Sequence, residues 1–138
     1  MGMDLTKSLQ VSFAGMNAQG TRLRVVAENL ANAESTAQTP GGEPYRRKVV
    51  TFQSVLDKTI GATSVKVSRI MPGGGEFERR FDPGNPGADG DGYVLMPNVN
   101  PLLELMDMRE AQRSYQANLD TIDAAKTMIS RTIDLLRA

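Results

Sequence analysis

Residues 105–136 read LMDMREAQRSYQANLDTIDAAKTMISRTIDLL, and the spacing of their side chains predicts one long α-helix. Ten positions follow one another at alternating steps of three and four residues, which places them on one stripe of a helix that packs lengthwise on another helix. Polar Gln112 and Lys126 lie within the stripe, where polar groups can fix register or partner choice. The stripe consists of Leu105, Met108, Gln112, Tyr115, Leu119, Ile122, Lys126, Ile129, Ile133 and Leu136.

A second helix is predicted at the other end of the chain, from Asp4 to about Ala33. Its apolar residues recur every seven positions, at Leu9, Met16, Leu23 and Leu30. Gly15 and Gly20 each weaken its interior by roughly 1 kcal/mol, so we expect this helix to depend on packing. The later helix is expected to begin at Pro101, with Asn98 or Asn100 as its cap.

The middle of the chain has a different composition, with proline and glycine clusters separating short alternating runs. The runs at 45–52, 64–71, 76–81 and 92–96 predict strands joined by turns. The fold class is therefore α+β, with two long terminal helices and a small β-rich, loop-rich lobe. We place the terminal domain at residues 1–36 and 98–138 and the middle lobe at 37–97.

The composition excludes several kinds of function. Sixteen Lys and Arg balance sixteen Asp and Glu, so nothing in the charge favours nucleic acid as a partner. The absence of His and Cys excludes the usual zinc sites, Cys–His nucleophiles and the Ser-His-Asp triad. We expect no enzyme activity, metal, cofactor or small-molecule substrate. The N-terminus has no apolar core of signal-peptide length, so no cleaved signal is expected.

The segment ADGDGY, residues 88–93, is similar to part of a calcium-binding loop. An EF-hand needs oxygen ligands at loop positions one, three and five and a glutamate at twelve, and neither possible alignment supplies them. Asp89 and Asp91 also lie in a glycine-rich turn with nothing to shift their pKa values apart, as an acid/base pair would require. The sequence predicts a turn here.

The apolar stripes have two interpretations that the sequence leaves open. They can form the core of a helix hairpin within one chain, or they can leave a surface for self-assembly. On the last helix a second apolar edge accompanies the first, at Ala111, Ala125, Met128 and Leu135. A two-helix hairpin buries one stripe, which favours a second contact with neighbouring chains.

The first helix ends in an unusual way, in the stretch VVAENLANAEST, residues 25–36. Asn29 and Asn32 lie on one edge beside Leu30, where the last carbonyls of the helix lose their partners. Asparagine offers both a donor and an acceptor, so these side chains can bond to a neighbouring chain. The alternative is a local cap within one chain.

NLANAEST resembles a motif near the N-terminus of the flagellar axial proteins, the rod and hook subunits of the bacterial flagellum. The resemblance extends in order over nearly the whole chain, through GMNAQGTRLRVVAENLANAEST (15–36), TPGGEPYRRKVVTFQ (39–53), DPGNPGADGDGYVLMPNVN (82–100) and MDMREAQRSYQANLDTIDAAKTMI (106–129). Distal-rod and hook members have larger middle regions. The short length is therefore typical of a proximal-rod subunit.

The resemblance implies a structural protein whose terminal helices pair as a coiled coil in the core of a tubular rod. Such a subunit transmits torque and forms part of the export-channel wall. The implied partners are copies of itself, other rod subunits, the inner-membrane ring, rod-junction proteins and the flagellar export apparatus. The implied location is the periplasmic rod of the basal body, reached without a cleaved signal.

With the motif residues carried over, the expected assembly interface combines the stripes with polar positions near each helix motif. The resemblance supplies Asn29, Leu30 and Asn32 at one end and Arg113, Tyr115 and Asn118 at the other. The full set is Leu9, Met16, Leu23, Asn29, Leu30, Asn32, Met108, Gln112, Arg113, Tyr115, Asn118, Leu119, Ile122, Ile129 and Ile133.

Two other functions are alternatives to the rod subunit. One is a coiled-coil adaptor that forms a small oligomer with a partner helix, and the other is a small enzyme. Polymers or mixed assemblies would indicate a rod subunit, whereas a defined small oligomer would indicate an adaptor. The absence of His and Cys counts against the enzyme.

Overall fold

A computed structural model describes residues 2–137, with side chains described from residue 5 onward. The element order is α1 (Gly2–Ala31), β1 (Lys48–Asp57), β2 (Ala62–Pro72), β3 (Glu78–Phe81), β4 (Tyr93–Met96) and α2 (Pro101–Arg137). This order confirms the α+β class and all four predicted strand runs. Met1 and Ala138, the outermost residues of the predicted terminal domain, lie outside the described residues. That domain division stays a prediction.

The ends of the helices follow from capping. The Asn100 side-chain oxygen accepts the backbone N–H of Leu102 at 3.1 Å, so Asn100 is the N-cap and Pro101 the first helical residue. Helix α1 ends at Ala31, two residues earlier than about Ala33, and a short turn follows. In the described part of the chain, no helix is long and apolar enough to cross a membrane.

The strands form two separate ribbons. Strands β1 and β2 pair across a connection of only four residues, which requires an antiparallel arrangement. Strands β3 and β4 are antiparallel, with Arg79 opposite Leu95 and Phe81 opposite Tyr93. Strand β4 alternates as a half-buried strand should, because Val94 and Met96 are buried while Tyr93 and Leu95 are exposed.

Contacts divide the chain into two compact units. The first comprises Met1–Leu23, Thr51–Arg69 and Arg109–Ala138. Within it α1 and α2 run antiparallel, since Gly15 lies against Asn118 and Gly20 against Tyr115. The approach is close at Gly15, where an added Cβ would lie 2.8 Å from the Asn118 side-chain nitrogen. Buried residues of this unit are Ser12, Gly15, Ala18, Ala111, Ile122 and Ala125.

The second unit comprises Arg24–Val50 and Ile70–Met108. Its apolar core is small and consists of Val25, Val26, Val94 and Met96. Two polar residues, Asn29 and Glu104, are as deeply buried as these. The unit therefore depends on polar contacts as well as on apolar burial.

Within the single chain, the predicted stripe on α2 is buried only in part. Of its residues Ile122 is buried, and the exposed ones are Leu105, Gln112, Lys126, Ile133 and Leu136. Beside the stripe, Glu104, Ala111 and Ala125 are buried. Apolar spacing favours large residues, but two of the four buried positions of α2 are the small residues Ala111 and Ala125. The small residues Ser12, Gly15 and Ala18 are likewise buried on α1, where Leu9, Met16, Leu23 and Leu30 are half-buried. Small side chains let two helix backbones approach closely. Coiled-coil pairing itself stays a prediction.

Candidate functional site

Asn29 joins the end of α1 to the start of β1. Its amide nitrogen donates to the carbonyl oxygen of Lys48 at 3.0 Å, and its amide oxygen accepts the N–H of Lys48 at 2.9 Å. The hydroxyl of Tyr45 donates to the same oxygen at 2.8 Å. Asn29 is only 1% exposed. Its side chain therefore serves contacts within its own chain and presents no exposed group to a neighbour.

Glu104 brings the first turn of α2 to the same place. Its carboxylate is buried, pairs with the Arg47 guanidinium and lies 3.4 Å from the Asn29 amide nitrogen. A buried charge is tolerated where it is paired and hydrogen-bonded, and both conditions hold here. We call Asn29, Tyr45, Arg47, Lys48 and Glu104 the Asn29 cluster.

Two neighbouring contacts extend the Asn29 cluster. The Lys48 ammonium lies 2.6 Å from the Glu28 carboxylate. The backbone N–H of Arg47 donates to the Asn98 side-chain oxygen at 2.7 Å, and Asn98 in turn donates to the carbonyl of Gly74. Within the described residues every buried side-chain nitrogen and oxygen has a hydrogen-bond partner. The second unit is thus held by a fully satisfied polar network.

The electrostatics of the cluster shift two pKa values. Burial raises the pKa of the Tyr45 hydroxyl, and the negative charge of Glu28 adds to the effect. The hydrogen bond to Glu28 raises the pKa of Lys48. Both groups therefore keep their protons at neutral pH, where Tyr45 acts as a hydrogen-bond donor and Lys48 as a cation.

Asn32 makes a local cap. Its amide nitrogen donates to the carbonyl oxygen of Glu28 at 2.9 Å, and its amide oxygen accepts the Ser35 hydroxyl at 3.0 Å. The Glu28 carbonyl also accepts the backbone N–H of Asn32 at 3.1 Å, so the side-chain amide adds a second bond to it at the end of the helix. The alternative of a cap within one chain therefore describes Asn32 in this structure. Its use between chains stays a prediction.

The other expected interface residues fall into three groups, exposed, buried and half-buried. Gln112, Arg113 and Ile133 are exposed, and Ile122 is 2% exposed. Half-buried positions are Leu9, Met16, Leu23, Leu30, Met108, Tyr115, Asn118, Leu119 and Ile129. Their role in assembly stays a prediction, and the buried position of Ile122 gives it a part in the core of its own unit.

Four large apolar side chains lie exposed at the start of α2. Leu102, Leu103, Leu105 and Met106 are all at least half exposed, and together with the buried Glu104 they make up one turn and a half of helix. We call these four residues the α2 apolar turn. Four adjacent exposed side chains of this size are more than the scattered apolar residues of an ordinary surface.

Asp89 organises the turn between β3 and β4. One carboxylate oxygen accepts the N–H groups of Asp91 at 2.9 Å and Tyr93 at 3.0 Å, and the other lies 3.3 Å from the Arg79 guanidinium. Gly92 follows with a φ of 85°, which favours glycine. The prediction of a turn is confirmed. No group of three or more His, Cys, Asp or Glu among the described residues could hold a metal ion.

Reasoning from the sequence missed most of the Asn29 cluster. Tyr45, Arg47 and Lys48 lie in a run predicted to be a strand, and no role is predicted for Glu104 from the sequence. One signal was available in the sequence. Glu104 lies seven residues before the buried Ala111, so it occupies the same face of α2, although its side chain is charged. A charged residue at such a position predicts a paired partner.

Comparisons with known proteins agree with one another. The family model described as "Flagellar basal body rod FlgEFG protein C-terminal" matches residues 91–135. The flagellar basal-body rod protein FlgC of Agrobacterium fabrum is 52% identical, and the match covers 97% of this chain and 96% of the relative. The protein of the same name from Aquifex aeolicus is 40% identical, with 96% and 97% covered.

A more distant relative matches over the same length. The flagellar basal-body rod protein FlgC of Salmonella typhimurium is 38% identical, and the match covers 96% of this chain and 98% of that protein. Identity of this extent over almost the full length of several relatives shows common descent. The chain belongs to the family of flagellar basal-body rod proteins FlgC.

Proposed function

We propose that this chain is a structural subunit of the rod of the bacterial flagellar basal body, in the proximal part of that rod. There it assembles with copies of itself and with other rod subunits, transmits torque and contributes to the wall of the export channel. The observation that carries the proposal is the 52% identity to a FlgC protein over 97% of the chain. The names of the relatives do not favour a coiled-coil adaptor.

The α2 apolar turn supports a role in assembly. Leu103 is 58% exposed and its three neighbours are similarly accessible, so the isolated chain leaves a large apolar area in water. Burying such an area against another subunit is favourable at about 25 cal/mol per Å². We infer that these residues contact a neighbouring subunit, beside the interface positions expected from the sequence.

The Asn29 cluster supports a load-bearing role. It connects α1, the start of β1 and the first turn of α2 through contacts that include two buried side chains, Asn29 and Glu104. Buried, fully satisfied networks make a structure rigid, because opening any one bond leaves a polar group without a partner. A subunit that passes torque along a polymer requires connections of this kind.

The remaining parts of the proposal concern pairing, partners and location. The terminal helices pair as a coiled coil in the rod core, and residues 37–97 form the middle lobe. Further partners are the inner-membrane ring, rod-junction proteins and the export apparatus. The chain reaches the periplasm through the export apparatus. The lack of Cys suits this route, since no disulfide has to be opened for an unfolded chain to pass.

The proposal is tested by replacing the chromosomal copy with Leu103→Glu. The side chain is exposed, so the stability of the isolated chain should change by no more than about 0.5 kcal/mol. In the rod, a carboxylate buried in an apolar contact should prevent assembly. The readouts are the yield of rods in purified basal bodies, swimming, and thermal unfolding of the isolated chain.

Leu56→Glu is the matched control. Leu56 is 60% exposed but lies on β1, outside the α2 apolar turn. Normal rods with Leu56→Glu and absent rods with Leu103→Glu would support the proposal. Normal rods and swimming with both variants would reject the α2 apolar turn as a contact. A defined small oligomer in sedimentation experiments, with no incorporation into basal bodies, would instead identify an adaptor.

A further inference from the structure

We propose that the Asp89 turn, residues 88–93, protects the two Asp–Gly linkages within it from conversion to isoaspartate. The linkages are Asp89–Gly90 and Asp91–Gly92. A glycine that follows an aspartate has no side chain to hinder the attack of its own backbone nitrogen on the aspartate carboxyl group. Asp–Gly linkages in an exposed glycine-rich loop are therefore chemically vulnerable, and the geometry here opposes the reaction at both.

The reaction has a defined course. The backbone nitrogen of the glycine attacks the side-chain carboxyl carbon of the preceding aspartate, and a C–N bond forms. The amide proton and the carboxyl hydroxyl leave together as water, which gives a five-membered succinimide. Water then opens the ring at either carbonyl and yields aspartate or isoaspartate. The overall change is an isomerisation and needs no oxidant or cofactor.

Asp89 is blocked through its carboxylate. One oxygen is held by the N–H groups of Asp91 and Tyr93, at 2.9 and 3.0 Å, and the other by Arg79 at 3.3 Å. Turning the carboxyl carbon toward the nitrogen of Gly90 would break these bonds. The bond from the Tyr93 N–H, with those from Asp91 and Arg79, also lowers the pKa of Asp89. An ionised carboxylate has no hydroxyl that can leave as water.

Asp91 is blocked through its glycine. The nitrogen of Gly92 donates to the carbonyl oxygen of Asp89 at 3.1 Å, so it is not free to attack. Gly92 is buried, and its φ of 85° fits a turn that closes against Phe81. The two linkages therefore protect each other. The carbonyl oxygen of Asp89 holds the nitrogen of Gly92, and the N–H of Asp91 helps to hold the carboxylate of Asp89.

Failure of this protection would matter for the second unit. An isoaspartate lengthens the main chain by one carbon in the turn that joins β3 to β4. Asp89 also exchanges two hydrogen bonds with Tyr93, the first residue of β4, through its own N–H and its carboxylate. The next residue, Val94, belongs to the small apolar core.

The test compares isoaspartate formation in the full chain under two conditions, folded at neutral pH and unfolded in urea. Trypsin releases residues 81–109 as one peptide that contains both linkages, and electron-transfer fragmentation distinguishes isoaspartate from aspartate. We expect several-fold slower formation at Asp89 and Asp91 in the folded chain. Asp107, which precedes methionine, should react slowly in both. Equal rates in folded and unfolded chains would overturn the proposal.

Arg79→Gln and Arg80→Gln form a matched pair. Both arginines lie on β3 with similar exposure, but Arg79 pairs with Asp89 and Arg80 with Glu34. Folded Arg79→Gln should form isoaspartate at Asp89 several-fold faster than the wild type, while Arg80→Gln should match the wild type. Equal rates in the two variants would show that the guanidinium gives no protection.

Gly92→Ala provides an independent check. It removes one linkage and opens the turn, since an added Cβ would lie 2.9 Å from the Phe81 ring at a φ that alanine avoids. Isoaspartate at Asp89 should then form faster than in the folded wild type. An unchanged rate at Asp89 in this variant would contradict the protective role of the closed turn.

Discussion

Asn29 binds Lys48 as a neighbouring strand would, through one donated and one accepted hydrogen bond to the main chain, at 3.0 and 2.9 Å. A side-chain amide has the same donor and acceptor as a peptide group, so it can complete the edge of a strand. The result is that the end of α1 fixes the first residue of β1. Asn29, the first residue of the NLAN motif, therefore has a structural role within its own unit.

Asn29→Ala should lower the free energy of unfolding by about 2–3 kcal/mol. The substitution leaves the N–H and carbonyl of Lys48 and the hydroxyl of Tyr45 without their partner in a poorly hydrated site. Urea unfolding of the isolated chain measures the change. Asn17→Ala is the control, because Asn17 is exposed on the same helix and should cost less than about 0.5 kcal/mol. Equal losses in both variants would show that the amide bonds of Asn29 contribute nothing.

Tyr45 should make stability sensitive to alkaline pH. Its pKa is raised in the folded chain, so the folded state holds the phenolic proton more tightly than the unfolded state. The associated stability is fully present below the unfolded pKa of about 10 and is lost as pH rises through the folded pKa. Thermal unfolding between neutral and strongly alkaline pH should show this loss.

Tyr45→Phe is the control for that pH dependence. It removes the hydroxyl that donates to Asn29, so it should be less stable at neutral pH by about 1 kcal/mol. Its stability should fall less steeply than that of the wild type above about pH 10. Parallel pH profiles for the two chains would mean that another group titrates.

The two glycines of α1 should respond differently to alanine. At Gly20 an added Cβ would lie 3.9 Å from the Tyr115 ring, an ordinary contact, so Gly20→Ala should stabilise the chain by about 1 kcal/mol through helix propensity. At Gly15 the same atom would lie 2.8 Å from the Asn118 nitrogen, and the steric cost should cancel the gain. Urea midpoints measure both.

A second substitution separates steric cost from other causes. In Gly15→Ala combined with Asn118→Ala the obstructing amide is absent, so the gain expected for Gly20→Ala should reappear relative to Asn118→Ala alone. If Gly15→Ala alone is as stabilising as Gly20→Ala, the close approach of the two helices at this point is not present in solution.

Asn32→Ala should shorten the ordered end of α1. Losing the bonds to Glu28 and Ser35 should reduce stability by about 0.5–1.5 kcal/mol and lower the helix content seen by circular dichroism. Rods that still assemble should then be normal. Full helix content together with a reduced yield of rods would instead show that Asn32 acts between subunits.

The sequence predicts the elements of this fold better than it predicts their contacts. Periodicity identified both helices and all four strands, because each depends on local spacing. It left open which edge of α2 is buried within the chain, where Glu104 and Ala111 are buried while Leu105 and Gln112 are exposed. Which neighbouring stripe is buried depends on how closely two helices approach, and Gly15 and Ala111 permit a close approach that large side chains would prevent.

The Asn29 cluster shows the same limit for polar residues. A sequence identifies Asn29 as unusual at the end of a helix but does not reveal that its partner is the main chain of Lys48, nineteen residues later. Likewise Glu104 and Arg47 are 57 residues apart and meet only in the folded chain. Long-range polar contacts of this kind leave no periodic pattern.

The central claim, that this chain is a structural subunit of the rod, is tested most directly by electron microscopy of basal bodies. Basal bodies would be purified from the bacterium that encodes the chain and from a strain in which its gene is deleted. We predict density for α1 paired with α2 in the proximal rod of the wild type, and no completed rod in the deletion strain. Complete rods in the absence of this chain would contradict the account.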